Sequence, residues 1–139
     1  MRQIQRRLLI GIILAVAACR GDRPTDPPAS GSIAGSYQLT TVDGQSLPVT
    51  VVDLGTYRAN VASGTLTLSD DGTYMYVVGY QLDDGIKIRV QADTDAGTWA
   101  LTRGSIALAS TQSSFSISGT VSDNAVTLEG SGRRLLFRR

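Results

Sequence analysis

From Ile33 to the C-terminus, apolar and polar residues take turns. Tyr37 and Leu39 alternate with Gln38 and Thr40. Leu66 and Leu68 alternate with Thr65, Thr67 and Ser69. Tyr74, Tyr76, Val78, Tyr80 and Leu82 hold one parity. Ile86, Ile88 and Val90 hold the next, against Lys87, Arg89 and Gln91. Trp99 with Leu101, Ile106 with Leu108, Phe115 with Ile117 and Val121, Val126 with Leu128, and Leu135 with Phe137 complete the series. Successive side chains of a strand point to opposite faces, so this period gives each segment one buried and one wet face. No stretch carries a helical period. The breaks are turn-like. Asp43-Gly44, Asp71-Gly72 and Asp84-Gly85 suit tight hairpins, because both residue types tolerate positive φ. Arg103-Gly104, Ser122-Asp123-Asn124 and Gly130-Ser131-Gly132 mark the others.

Short strands joined by hairpins make an antiparallel meander. Left open, it would expose two long edges; closure removes them. The expected fold is therefore all-β: a small antiparallel up-and-down β-barrel of about eight strands over residues 33–139. Residues 47–62 fit a strand, a lid-like loop, or both.

The N-terminus follows other rules. Arg2, Arg6 and Arg7 precede an apolar run from Leu8 to Ala18. As a helix that run would reach about 16 Å, well short of a bilayer core of about 30 Å. A basic start, a short apolar centre and small residues at its end describe a secretory signal peptide. Gln5 and Leu8-Leu9 fit twin-arginine export poorly, so Arg6-Arg7 reads as a generic basic start. Val16-Ala17-Ala18-Cys19 resembles the lipobox of bacterial lipoproteins. The resemblance implies cleavage before Cys19 and lipid on its sulfur, with a membrane as the protein's first partner. Residues 1–18 are then the signal. Residues 19–32 are the lipidated cysteine and a tether, RGDRPTDPPASGS after Cys19, which holds three of the four prolines. One acyl chain anchors only marginally and two anchor stably. Arg20 stands where aspartate often retains such lipoproteins at the inner membrane, so an outer membrane is the expected site. The Arg20-Gly21-Asp22 triplet would lie against the lipid and reads as chance.

Without the three signal arginines the chain has ten cations against twelve anions, a net of −2. That is no nucleic-acid footprint. There is no histidine, and Cys19 is the single cysteine. Histidine-based triads, disulfides and the commonest zinc ligands are thereby excluded. No catalytic residue, cofactor or metal is expected. The acidic pairs Asp70-Asp71, Asp83-Asp84 and Asp93/Asp95 lack EF-hand spacing and read as turn chemistry.

Gly35-Ser36-Tyr37, Gly72-Thr73-Tyr74 and Gly97-Thr98-Trp99 each open a strand with glycine, a hydroxyl and an aromatic. Either an aromatic plug at a barrel end or common strand-start composition accounts for this. GSYQLTTVDGQSLP (35–48), SGTLTLSDDGTY (63–74), GTWALTRGSIALAS (97–110) and VTLEGSGRRLLFRR (126–139) together resemble the bacterial lipocalin-like domain. The resemblance implies an up-and-down barrel with a calyx and transfers no ligand.

An eight-stranded barrel holds its own side chains or one small ligand. The expected inward set is Tyr37, Leu39, Leu66, Tyr74, Tyr76, Ile88, Trp99 and Phe115. It forms either a ligand pocket oriented by tyrosine hydroxyls or a filled core. Tyr76 and Tyr80 could instead form an outer aromatic stripe. In the last strand Leu135 and Phe137 point inward and the arginines outward. The expected function is a non-catalytic binding module, lipid-anchored in the cell envelope, for a small hydrophobic ligand or an envelope protein. The alternative is a structural, assembly or inhibitor-type accessory acting through its outer surface.

Overall fold

A computed structural model describes residues 32–139. The expected signal, Cys19 and the tether as far as Gly31 lie outside the described residues. Ten strands form: β1 (Gly35–Val42), β2 (Gln45–Ser46), β3 (Val49–Asp53), β4 (Arg58–Leu68), β5 (Thr73–Asp83), β6 (Ile88–Thr102), β7 (Ser105–Ser110), β8 (Ser116–Ser122), β9 (Ala125–Gly130) and β10 (Arg133–Arg138). No helix occurs among the described residues.

All pairings are antiparallel, and β4 to β10 each pair with the next strand. β1 closes the ring. Its first half, Gly35–Gln38, pairs with Leu68–Thr65 of β4; its second half, Gln38–Val42, pairs with β10. The result is a closed up-and-down barrel of eight strands, with β2 and β3 added at its margins. Residues 47–62 resolve into a strand, a loop and a strand: β3, residues 54–57, and the start of β4.

The turns behave as their composition dictates. Asp43-Gly44, Arg103-Gly104 and Ser131-Gly132 are two-residue hairpins with both residues at positive φ. That conformation matches the strand twist and is easiest for glycine in second place. The acidic residues cap their own turns. Asp71 accepts from the Thr73 amide and hydroxyl, at 2.9 and 2.6 Å. Asp84 accepts from the amides of Ile86 and Lys87, at 3.1 and 2.9 Å. These bonds hold both carboxyls below their ordinary pKa.

The core is one cluster inside the ring. Tyr37, Val42, Leu66, Val126, Leu128 and Phe137 are wholly buried in it. Each buried large side chain contributes about 1.5–3 kcal/mol.

Candidate functional site

The barrel ends differ. At one end the Trp99 indole donates to the Ser69 carbonyl at 3.0 Å, and the Tyr37 hydroxyl donates to the Ile33 carbonyl at 2.6 Å. The Arg139 guanidinium lies 4.6 Å over the Tyr37 ring and donates to the Ala34 carbonyl at 2.6 Å. Arg139 is thus a cation–π lid on a buried aromatic. This end is sealed, and the chain enters the fold here.

The opposite end opens. β4 and β5 rise past β7, β8 and β9, because β6 pairs with β7 only from Gly97 onward. Between the tall and short walls lies a recess of about 250 Å³. Val61, Val78, Ile117 and Leu135 make its apolar wall, and Tyr76, Tyr80 and Phe115 stand at it. Arg133 borders it, held by Asp43 at 2.8 Å and by the Val51 carbonyl at 2.8 Å. A broader depression of about 770 Å³ crosses the outer wall at β1, β9 and β10. It is lined by Asp43, Glu129, Arg133 and Arg134, with Leu136 as its large apolar side chain, and it lies open to water.

The expected inward set divides. Tyr37, Leu39, Leu66 and Tyr74 are buried in the core. Trp99 belongs to the sealed end. Tyr76 is half-buried at the recess, edge-to-face with Phe137 at 6.0 Å. Phe115 lines the recess but is 44% exposed, because it ends the β7–β8 loop rather than sitting inside a strand. Ile88 is a correction: it is 66% exposed, outside the barrel. β6 runs unbroken from Ile88 to Thr102, so parity is fixed along it. Trp99 faces in, hence Asp95, Asp93, Gln91 and Arg89 share its face. Ile88 and Val90 take the outer one. Tyr80, placed on the same strand face as Tyr76 and Val78, lines the recess rather than an outer stripe.

Asp95 is the polar group that this parity brings inward. It accepts from the Tyr74 hydroxyl and the Ser110 hydroxyl, both at 2.5 Å. Ser110 Oγ in turn accepts from the amides of Gln112 and Ser113. The carboxylate therefore ties β5, β6 and the β7–β8 loop together beneath the opening. Burial, then the bond to Asp95, pushes the Tyr74 phenol well above its ordinary pKa. Burial also raises Tyr76, followed by the field of Tyr80, Asp93 and Asp95. Tyr80 is raised by burial and Asp93. All three are neutral hydroxyls, able to donate and accept, across the physiological range.

A pH dependence follows. In the unfolded chain these phenols ionise near the ordinary 10.0. The fold keeps their protons longer, so their contribution to stability is full below about pH 10. It is lost as pH rises towards the raised folded values. Denaturant titrations should show constant stability from pH 8 to 9.5 and a decline above 10. Removing the Tyr74 hydroxyl (Tyr74→Phe) should shrink that decline.

Among the described residues no group of histidine, cysteine, aspartate or glutamate is placed to hold a metal ion. The arrangement offers an apolar recess, neutral hydroxyls and one fixed guanidinium. No family model matches the chain, and no curated protein matches its sequence.

Proposed function

We propose that this chain is a lipid-anchored lipoprotein of the cell envelope, whose lipocalin-like barrel is a non-catalytic binding module for a small hydrophobic ligand. The recess of about 250 Å³, apolar in its wall and open at one end only, carries the reading. Such a site gains affinity from buried apolar area and orientation from a few hydroxyls. Tyr76 and Tyr80 supply those hydroxyls.

The sequence Val16-Ala17-Ala18-Cys19 supports the anchor. Ser32 lies at the sealed end, where its hydroxyl donates to Asp70 at 2.8 Å. A tether from Cys19 reaches roughly 40 Å at full extension. A lipid on Cys19 would hold the sealed end towards the membrane and leave the recess facing away from it.

Native mass spectrometry of protein purified gently from its own host tests the ligand. The expected result is a retained small molecule; recovery of bare chain alone overturns the carrier reading. Cys19→Ser tests the anchor. The variant should leave the membrane fraction, and unchanged partition would defeat lipidation. A second reading, an accessory acting through its outer surface, is favoured by the apolar row Ile86, Ile88 and Val90, left in water on the outer side of the β5–β6 hairpin.

A further inference from the structure

The first half of β6 is a bare sheet edge. Ile88–Asp95 pair with β5 on one side, and no described strand pairs with them on the other. Backbone groups of an antiparallel strand alternate between its two sides. The Ala96 carbonyl accepts from the Thr111 amide on the β7 side. The even residues before it, Thr94, Ala92, Val90 and Ile88, therefore aim their amides and carbonyls at the empty side. Exposed edges are usually blunted by a bulge, a proline or a covering loop. The opposite edge of the extension is guarded: β3 carries a bulge between Thr50 and Val52, and Arg133 caps its Val51 carbonyl. The β6 edge has no bulge, proline or covering loop; its charged side chains are the guard it carries, and its outer face shows Val90 at 81% exposure beside Ile88.

The charge pattern names the occupant. Residues 87–95 read KIRVQADTD: two cations and two anions of one parity, symmetric about Gln91. We infer that this edge pairs with the same edge of a second copy, antiparallel and centred on Gln91. Arg89 of each copy then faces Asp93 of the other, and Lys87 comes level with Asp95, whose carboxylate keeps its bonds to Tyr74 and Ser110. Val90 lies opposite Ala92, and Ile88 opposite Thr94. These last pairs are the even residues, so their free amides and carbonyls meet in the ladder. Unlike charges directly opposite stabilise a strand pair, and like charges oppose it. A shift of two residues in either direction leaves one charged pair where there were two. In the single copy Arg89 is held by Asp84 at 3.0 Å, an exposed contact that exchange for Asp93 costs little.

The register makes a specific test possible. Gln91 sits on the two-fold axis as a non-hydrogen-bonded pair, where Cα atoms approach to about 4.5 Å, within disulfide range. In the full-length protein in its host membrane, Gln91→Cys should yield a covalent dimer on mild oxidation. Arg89→Cys and Asp93→Cys, each four residues from its own symmetry mate, should not. In the Gln91→Cys background, Arg89→Asp should cut the dimer about tenfold, and adding Asp93→Arg should restore it. Val90→Pro should abolish the dimer while keeping the β5 ladder, because that amide faces the empty side. No covalent dimer from Gln91→Cys, equal yields from all three cysteines, or an adduct with another protein in its place would each overturn the inference.

Discussion

Replacing Phe137 by alanine should cost about 3–5 kcal/mol, the loss expected for emptying a wholly buried aromatic site. Phe137 is wholly buried on β10, the strand that receives the second half of β1. It lies opposite Leu39 on β1 and opposite Val126 on β9, and its ring meets the edge of Tyr76. The ring therefore fills the seam where the chain's first and last strands close the barrel. The hole left by alanine could shrink only if that seam shifted, and β1 is already shared between two partners. Domains of this size hold about 5–15 kcal/mol in all, so the variant should melt more than about 12 °C lower. Phe137→Leu keeps most of the volume and should lose about 1–2 kcal/mol. Phe115→Ala, at an exposed position, should change stability by about 0.5 kcal/mol or less. Thermal unfolding of the three variants side by side checks the order. If Phe137→Ala melted with Phe115→Ala, the closed oily interior would not be what holds the fold.

The contrast between these phenylalanines shows where alternation is informative. Leu66, Tyr74 and Phe137 sit in strands whose parity runs undisturbed near them, Tyr37 and Leu39 come just before the slip in β1, and all are buried as alternation predicts. The closure into eight strands was equally legible, since an open meander of this length leaves two edges. Ile88 was misassigned because Ile86, Ile88 and Val90 read as a strand of their own. In β6 Ile88 and Val90 are continuous with Trp99, eleven positions beyond Ile88, and an odd separation in one strand puts two residues on opposite faces. The signal was present: no glycine or proline separates residues 88 and 96, so a single strand was the simpler reading. The same parity would have brought Asp95 inward. Val42 escaped for a different reason. The register of β1 on β10 slips between Leu39 and Thr41, which moves an even residue onto the buried face. Such a bulge leaves no trace in composition. Phe115 obeys its loop rather than strand parity. The recess itself was out of reach, because it depends on β4 and β5 outrunning their neighbours, and strand height is a property of the assembled sheet.

Gly119→Ala, the addition of one methyl, should be as damaging as removing a large side chain. An alanine Cβ at this position would lie 1.8 Å from the Thr127 carbonyl oxygen and 2.8 Å from its carbon. The obstacle is backbone of the adjoining β9, so no rotamer change relieves it; the strands must part. Gly119 sits in β8 between Ile106 of β7 and Leu128 of β9, both buried. Parting them would open the wall between two buried side chains. Overfilled cores usually cost about 1–3 kcal/mol by moving side chains. Here the backbone must move, and the loss should reach at least about 3 kcal/mol. Gly97 has the same character, with its Cβ position 2.0 Å from the Ala109 carbonyl, so Gly97→Ala should behave alike. Gly104 separates crowding from conformation. It has φ +82° but open space around its Cβ position, so Gly104→Ala should show backbone strain alone, about 1–2 kcal/mol. Urea unfolding of the three alanine variants gives the comparison. Glycine inside a strand suits a site where another backbone approaches closely, as the Thr127 and Ala109 carbonyls do at Gly119 and Gly97. Equal or smaller losses there than at Gly104 would mean the wall has room that this packing denies it.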